Sequence, residues 1–78
     1  MGMNIEFSDH AIKQQEKRKI PKSRIHDTVQ YPEETITSFR GRMLNRKSYD
    51  KKTLEVVTVK EHDTIVIVTA YYIDEEES

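Results

Sequence analysis

Thr69 and Tyr71 stand two residues apart in the apolar run Thr64 to Tyr72, so in a strand their hydroxyls share one face. A two-residue turn at Lys51-Lys52 would set Tyr49 opposite Leu54 and Lys47 opposite Val56. A second at His62-Asp63 would set Val56 opposite Thr69 and Leu54 opposite Tyr71. Lys47, Val56 and Thr69 then form one cross-strand row, with Tyr49, Leu54 and Tyr71 the next. Rings to stack on, a cation for phosphate and hydroxyls on an apolar floor suit a nucleotide. The same pattern is that of a half-exposed sheet of ordinary β formers, or of a dimer interface. The other chemically capable group is His10, which shares a helix face with Gln14 and Lys17, with Arg18 beside them. Imidazole is the side chain that ordinarily titrates near neutral pH, although a histidine among helical cations is also simply a solvated group.

The elements that must position these residues follow from periodicity. Ser8 is a helix cap and Asp9 a first-turn acid, opening a helix that runs to about Lys19. Ile20-Pro21 breaks it and starts a second helix, which Tyr31-Pro32 ends. Asn4 to Phe7 is a lead-in whose Ile5 and Phe7 alternate as in an edge strand or an anchoring segment. From Thr35 the pattern changes to strands at about 35–40, 42–49, 53–60 and 64–72. The expected fold is α+β, with two N-terminal helices packed on one face of a four-stranded antiparallel meander. Val57, Val59, Val66, Val68 and Ala70 are the expected core face. Asn45, Lys47, Tyr49, Leu54, Val56, Thr58, Ile67, Thr69 and Tyr71 are the expected free face.

Composition narrows the chemistry. At 78 residues, with apolar and charged residues each 35%, only a thin core is possible, one helical layer on one sheet. There is no cysteine, which excludes disulfides, thiolate metal sites and cysteine nucleophiles. His10, His26 and His62 lack any standard metal spacing, so neither a metal nor another cofactor is expected. No apolar stretch is long enough to span a bilayer, and a cytoplasmic location with no membrane partner is the expectation. Of 13 Lys and Arg residues, 12 lie between Lys13 and Lys52, whereas four of the 14 acidic residues are Asp74 to Glu77. One domain over 4–73 and a disordered acidic tail over 74–78 are therefore expected, the body being mildly basic.

Phe7-Ser8-Asp9-His10-Ala11, Arg18-Lys19-Ile20, Pro32 and Val68-Thr69-Ala70-Tyr71, in that order, resemble a small bacterial family, domain of unknown function 4258. That family is grouped with RelE/ParE-like toxins, within ribonuclease folds that include barnase-like and colicin-like domains. The resemblance covers Phe7 to Tyr72. It implies a metal-independent endoribonuclease with His10 as acid or base, Arg18 holding phosphate, and Thr69 and Tyr71 orienting the phosphate or a base. Lys47 is the matching cation of the sheet, and Tyr49 adds a ring to the substrate face. The sequence departs from the family pattern at Gln14, often Arg, and at Lys19, often Gly.

Three functions follow from this reading. The first is an RNA-cleaving toxin paired with an antitoxin protein. The second is a non-catalytic module of the same fold that binds RNA or protein. The third is a gyrase-directed toxin. RNA cleavage needs a base for the 2′-hydroxyl, cations for the phosphate and an acid for the leaving oxygen. A catalytic site therefore requires His10, Lys47 and Thr69 to converge on one cleft.

Overall fold

The computed structural model describes residues 4–74. The chain forms β1 (Asn4–Phe7), α1 (Asp9–Arg18), α2 (Lys22–Gln30), β2 (Glu34–Thr37), β3 (Arg42–Tyr49), β4 (Lys52–Glu61) and β5 (Thr64–Asp74). A short 3-10 turn, Phe39–Gly41, joins β2 to β3. Asp74 closes β5 rather than opening a tail, and residues 75–78 of the expected tail lie outside the described residues.

The sheet is not a four-stranded antiparallel meander. It has five strands in the order β1-β5-β4-β3-β2, and β1 runs parallel to β5, with Ile5 beside Ile65 and Phe7 beside Ile67. The lead-in is thus a full strand at the sheet edge. Parallel neighbours need a crossover, and here the crossover is the whole of α1, α2 and the β2–β3–β4 meander.

Both helices form for local reasons. The Ser8 hydroxyl accepts the Ala11 N–H at 3.0 Å as the α1 cap, and Asp9 supplies negative charge at the positive end of the helix dipole. Lys19 ends α1 in the left-handed conformation, φ 56°, its N–H turned back to the last carbonyls. Pro21 then opens α2. α1 lies along β5 and finishes what β1 leaves uncovered. The Ser8 N–H and hydroxyl donate to the Ile67 and Val68 carbonyls at 3.0 and 3.3 Å, and Arg18 Nη1 donates to Ala70 at 3.2 Å. These bonds continue the ladder past the end of β1 and close an otherwise open strand edge.

The core is Ala11, Ile20 and Ile25 against Leu54, Val56, Ile67 and Ala70. The helices therefore cover the face that was expected to be free, and two differences in register go with it. The β3–β4 one moves partners by two residues and keeps each side chain's face, whereas the β4–β5 one does not. The β3–β4 turn is Asp50-Lys51, with Asp50 at φ 57°, so Tyr49 pairs with Lys52, Lys47 with Leu54 and Asn45 with Val56. The β4–β5 turn is His62-Asp63 as expected, but a bulge follows: Thr58 pairs with Ile67, Val57 with Thr69, and Val68 is the unpaired extra residue. Alternation in β5 therefore changes parity at Val68. Ile67, Ala70 and Tyr72 face the helices, while Thr69 and Tyr71 face away.

Candidate functional site

One cross-strand row on the uncovered face concentrates the polar chemistry of the sheet. Glu34, Arg46, Glu55 and Tyr71 are successive partners across β2, β3, β4 and β5. Arg46 Nε donates to Glu55 Oε1 at 2.7 Å, and Arg46 Nη1 lies 3.6 Å from Glu34 Oε1. The Tyr71 hydroxyl donates to the other Glu55 oxygen, Oε2. Glu55 sits on the central strand and is only 4% exposed, although no helix covers it. A buried carboxylate is costly unless it is paired and hydrogen-bonded, and here both oxygens are satisfied.

The electrostatics are coherent. The hydrogen bond to Glu55 raises the Arg46 pKa, so the guanidinium stays charged. Burial first, and then the Glu55 carboxylate, push the Tyr71 phenol up to about 12. The charges of Arg46 and Arg18 act in the opposite direction on the same phenol. Arg18, at the end of α1, is thus felt on this face. Thr69 is half-buried in the adjoining row, opposite Val57.

The residues singled out by sequence divide between the two faces. Thr69 and Tyr71 share the uncovered one. Lys47 and Tyr49 lie under α2, where Lys47 Nζ is 2.8 Å from Asp27 Oδ2 and the Tyr49 hydroxyl donates to the same oxygen at 2.8 Å. The Lys47 bond lowers the Asp27 pKa, and the Asp27 bond raises that of Lys47, so this cation is committed to its partner. Lys47 therefore does not meet Thr69, and the convergence of His10, Lys47 and Thr69 expected of a catalytic site does not form. His10 is exposed in the first turn of α1, with no hydrogen-bond partner among the described residues. One helical turn on, Gln14 Oε1 is buried without a partner among the described residues.

Arg46 and Glu55 are the residues that sequence reasoning passed over. The signal was present, since Glu55 interrupts the apolar run Leu54 to Val57 at the parity that Tyr71 takes once the bulge is included. Among the described residues, no group of three His, Cys, Asp or Glu side chains is placed to hold a metal ion. No helix among them is long and apolar enough to cross a membrane.

A family model described as Domain of unknown function (DUF4258) matches residues 7–72, from Phe7 at the end of β1 to Tyr72 near the end of β5. No curated protein and no solved structure matches the chain. The matched span includes the entire Glu34–Arg46–Glu55–Tyr71 row, His10 and Arg18. The chain belongs to the DUF4258 family.

Proposed function

We propose that this domain acts on RNA as a metal-independent endoribonuclease of the RelE/ParE-like kind, with its reacting groups around Glu55, Tyr71 and Arg46. The observation that carries the reading is the buried Glu55 carboxylate, held between an arginine and a tyrosine on the face the helices leave uncovered. An apolar side chain would serve stability better at the centre of a sheet, and ionisable clusters of this kind concentrate at functional sites. The resemblance to RelE/ParE-like toxins supports the same conclusion.

In this mechanism the 2′-oxygen attacks the adjacent phosphorus, forming one P–O bond as the bond to the 5′-oxygen breaks. Tyr71 accepts the 2′-hydroxyl proton as its own passes along the existing hydrogen bond to Glu55. Arg46 and Arg18 balance the charge that grows on the phosphate oxygens. By the resemblance, His10 is the group that gives a proton to the departing 5′-oxygen. The products are a 2′,3′-cyclic phosphate and a 5′-hydroxyl. Thr69 orients the phosphate. Lys47 and Tyr49 take a different part, since Asp27 and α2 hold them on the other face.

A specific observation favours a second reading. Both Glu55 oxygens are already occupied by Arg46 and Tyr71, as they are in ion pairs that serve structure alone. On that reading the fold is a non-catalytic module that binds RNA or a partner protein, such as an antitoxin. A gyrase-directed role would likewise leave RNA uncut.

One experiment decides between cleavage and binding alone. Total RNA is incubated with the protein and with Glu55→Gln, Tyr71→Phe and His10→Ala in the presence of EDTA. Wild type should leave 2′,3′-cyclic ends, and loss of either acid–base group should slow cleavage by about 10²- to 10⁴-fold, with the far-UV spectrum unchanged. Intact RNA with wild type, or equal cleavage by all four proteins, would sink the assignment.

A further inference from the structure

A cleft of about 840 Å³ opens between the α1–α2 link and the β3–β4 turn. Arg18, Lys19, Arg24, Lys51 and Lys52 line it, against a single acid, Asp50. Among the described side chains none of these five cations is in an ion pair, whereas Arg46 and Lys47 both are. We propose that this cleft binds the phosphate backbone of a single-stranded RNA whose neighbouring nucleotides lie on the Glu55–Tyr71 face. The inference deepens the RNA reading above and does not need the cleavage step.

The cations are built in rather than scattered. The Arg24 guanidinium lies 4.6 Å from the Tyr49 ring centroid and donates through Nη1 to the Tyr72 hydroxyl at 2.8 Å. Its remaining N–H groups stay free in a fixed plane, which suits phosphate oxygens. Lys52 Nζ lies 5.1 Å from the Tyr72 ring centroid. Both rings are thus already covered by cations, so the cleft offers charge rather than stacking platforms. It should therefore hold a sugar–phosphate backbone with little base preference. Two residues on its rim, Lys19 and Asp50, adopt the left-handed backbone at φ 56° and 57°, where glycine is the unstrained choice. At position 19 the chain carries a lysine in that conformation and so gains a cation at the mouth of the cleft.

Continuity with the uncovered face selects a strand over a small anion. Tyr71 and Tyr72 are consecutive, and they project from opposite faces of β5, one into each site. Arg18 lines the cleft, bonds the Ala70 carbonyl, and acts on the Tyr71 phenol. A chain of phosphates passing round this end of β5 meets both sites without a break, whereas a free phosphate would fill only one.

Binding is measured on the Glu55→Gln background, so that the ligand stays intact. A fluorescein-labelled uridine octamer is titrated by anisotropy from 50 to 300 mM salt, with pyrophosphate as competitor. The parent should bind with a steep salt slope. Lys19→Gly, Lys51→Gln and Lys52→Gln should each weaken binding roughly three- to tenfold and reduce the slope by about 0.7. Lys19→Gly should melt no lower than its parent, which separates lost charge from lost fold. Unchanged affinity and slope in all three variants would overturn the cleft, even if wild type cleaves RNA. Pyrophosphate binding as tightly as the octamer would overturn the strand in favour of a small anion. Weakened octamer binding with no cleavage by wild type would uphold the cleft and remove the nuclease.

Discussion

At Tyr71, burial and the Glu55 carboxylate both disfavour the phenolate, and the pKa rises from 10 to about 12. The sign of the linkage is definite. The folded state holds the proton more tightly than the unfolded chain does, so this contribution is complete below pH 10 and is lost as pH rises towards 12. Urea unfolding between pH 9 and 12 should show wild type losing stability relative to Tyr71→Phe across that window. Parallel curves for the two proteins would mean that the phenol is not coupled to Glu55. The comparison isolates Tyr71, because the Tyr49 phenol, raised by its own burial, and the Asp27–Lys47 pair are common to both proteins. Glu55 itself was legible as an acid inside an apolar run. Its partners were not, because naming them requires the register of three strands at once.

Among the elements, the helices were the most legible. Ser8, Pro21 and Pro32 act locally, and each bounds a helix where capping and proline sterics say it should. Strand register was not legible in the same way, because it is set by choices one residue wide. A turn at Asp50-Lys51 instead of Lys51-Lys52 moves every β3–β4 partner by two residues and leaves the faces unchanged, whereas the bulge at Val68 changes the parity of β5. Lys47 and Tyr49 consequently stand apart from Thr69 and Tyr71, and the residues expected on one face are divided between two. The alternation of Ile5 and Phe7 fits the edge strand that β1 is. Its parallel place beside β5 was not legible, because four residues carry little periodic signal and the partner is some sixty positions away. Asn45 ties this region together. Its buried amide donates to the Val56 carbonyl at 3.2 Å and the Thr58 hydroxyl at 3.1 Å, beside the bulge. Asn45→Ala should cost about 1–3 kcal/mol, read as a lower urea midpoint with an unchanged m-value. A midpoint equal to wild type would show that the amide does not hold the register.

For the molecule as a whole, charge is arranged by position rather than by amount. A net charge of −1 combines a cation-lined cleft with the acidic run Asp74 to Glu77, and the backbone of Asp74 is paired with that of Lys52 at the cleft rim. At low ionic strength the acidic run should compete with RNA phosphates for the same cations. Deleting residues 75–78 should tighten octamer binding at 50 mM salt, with the gain fading by 300 mM. Equal affinity at both salts would refute this coupling. The bulge at Val68 has its own consequence at this scale. Loss of the Val68 codon would leave β5 nearly as long and restore a regular ladder, with Thr58–Ile67 followed directly by Val57–Thr69. Thr69 and Tyr71 would keep the uncovered face, and Ala70 and Tyr72 the face under the helices. The extra residue therefore sets the spacing at which β5 shows its two surfaces: Ile67 and Ala70, three apart, share the helix face, which a regular strand would forbid.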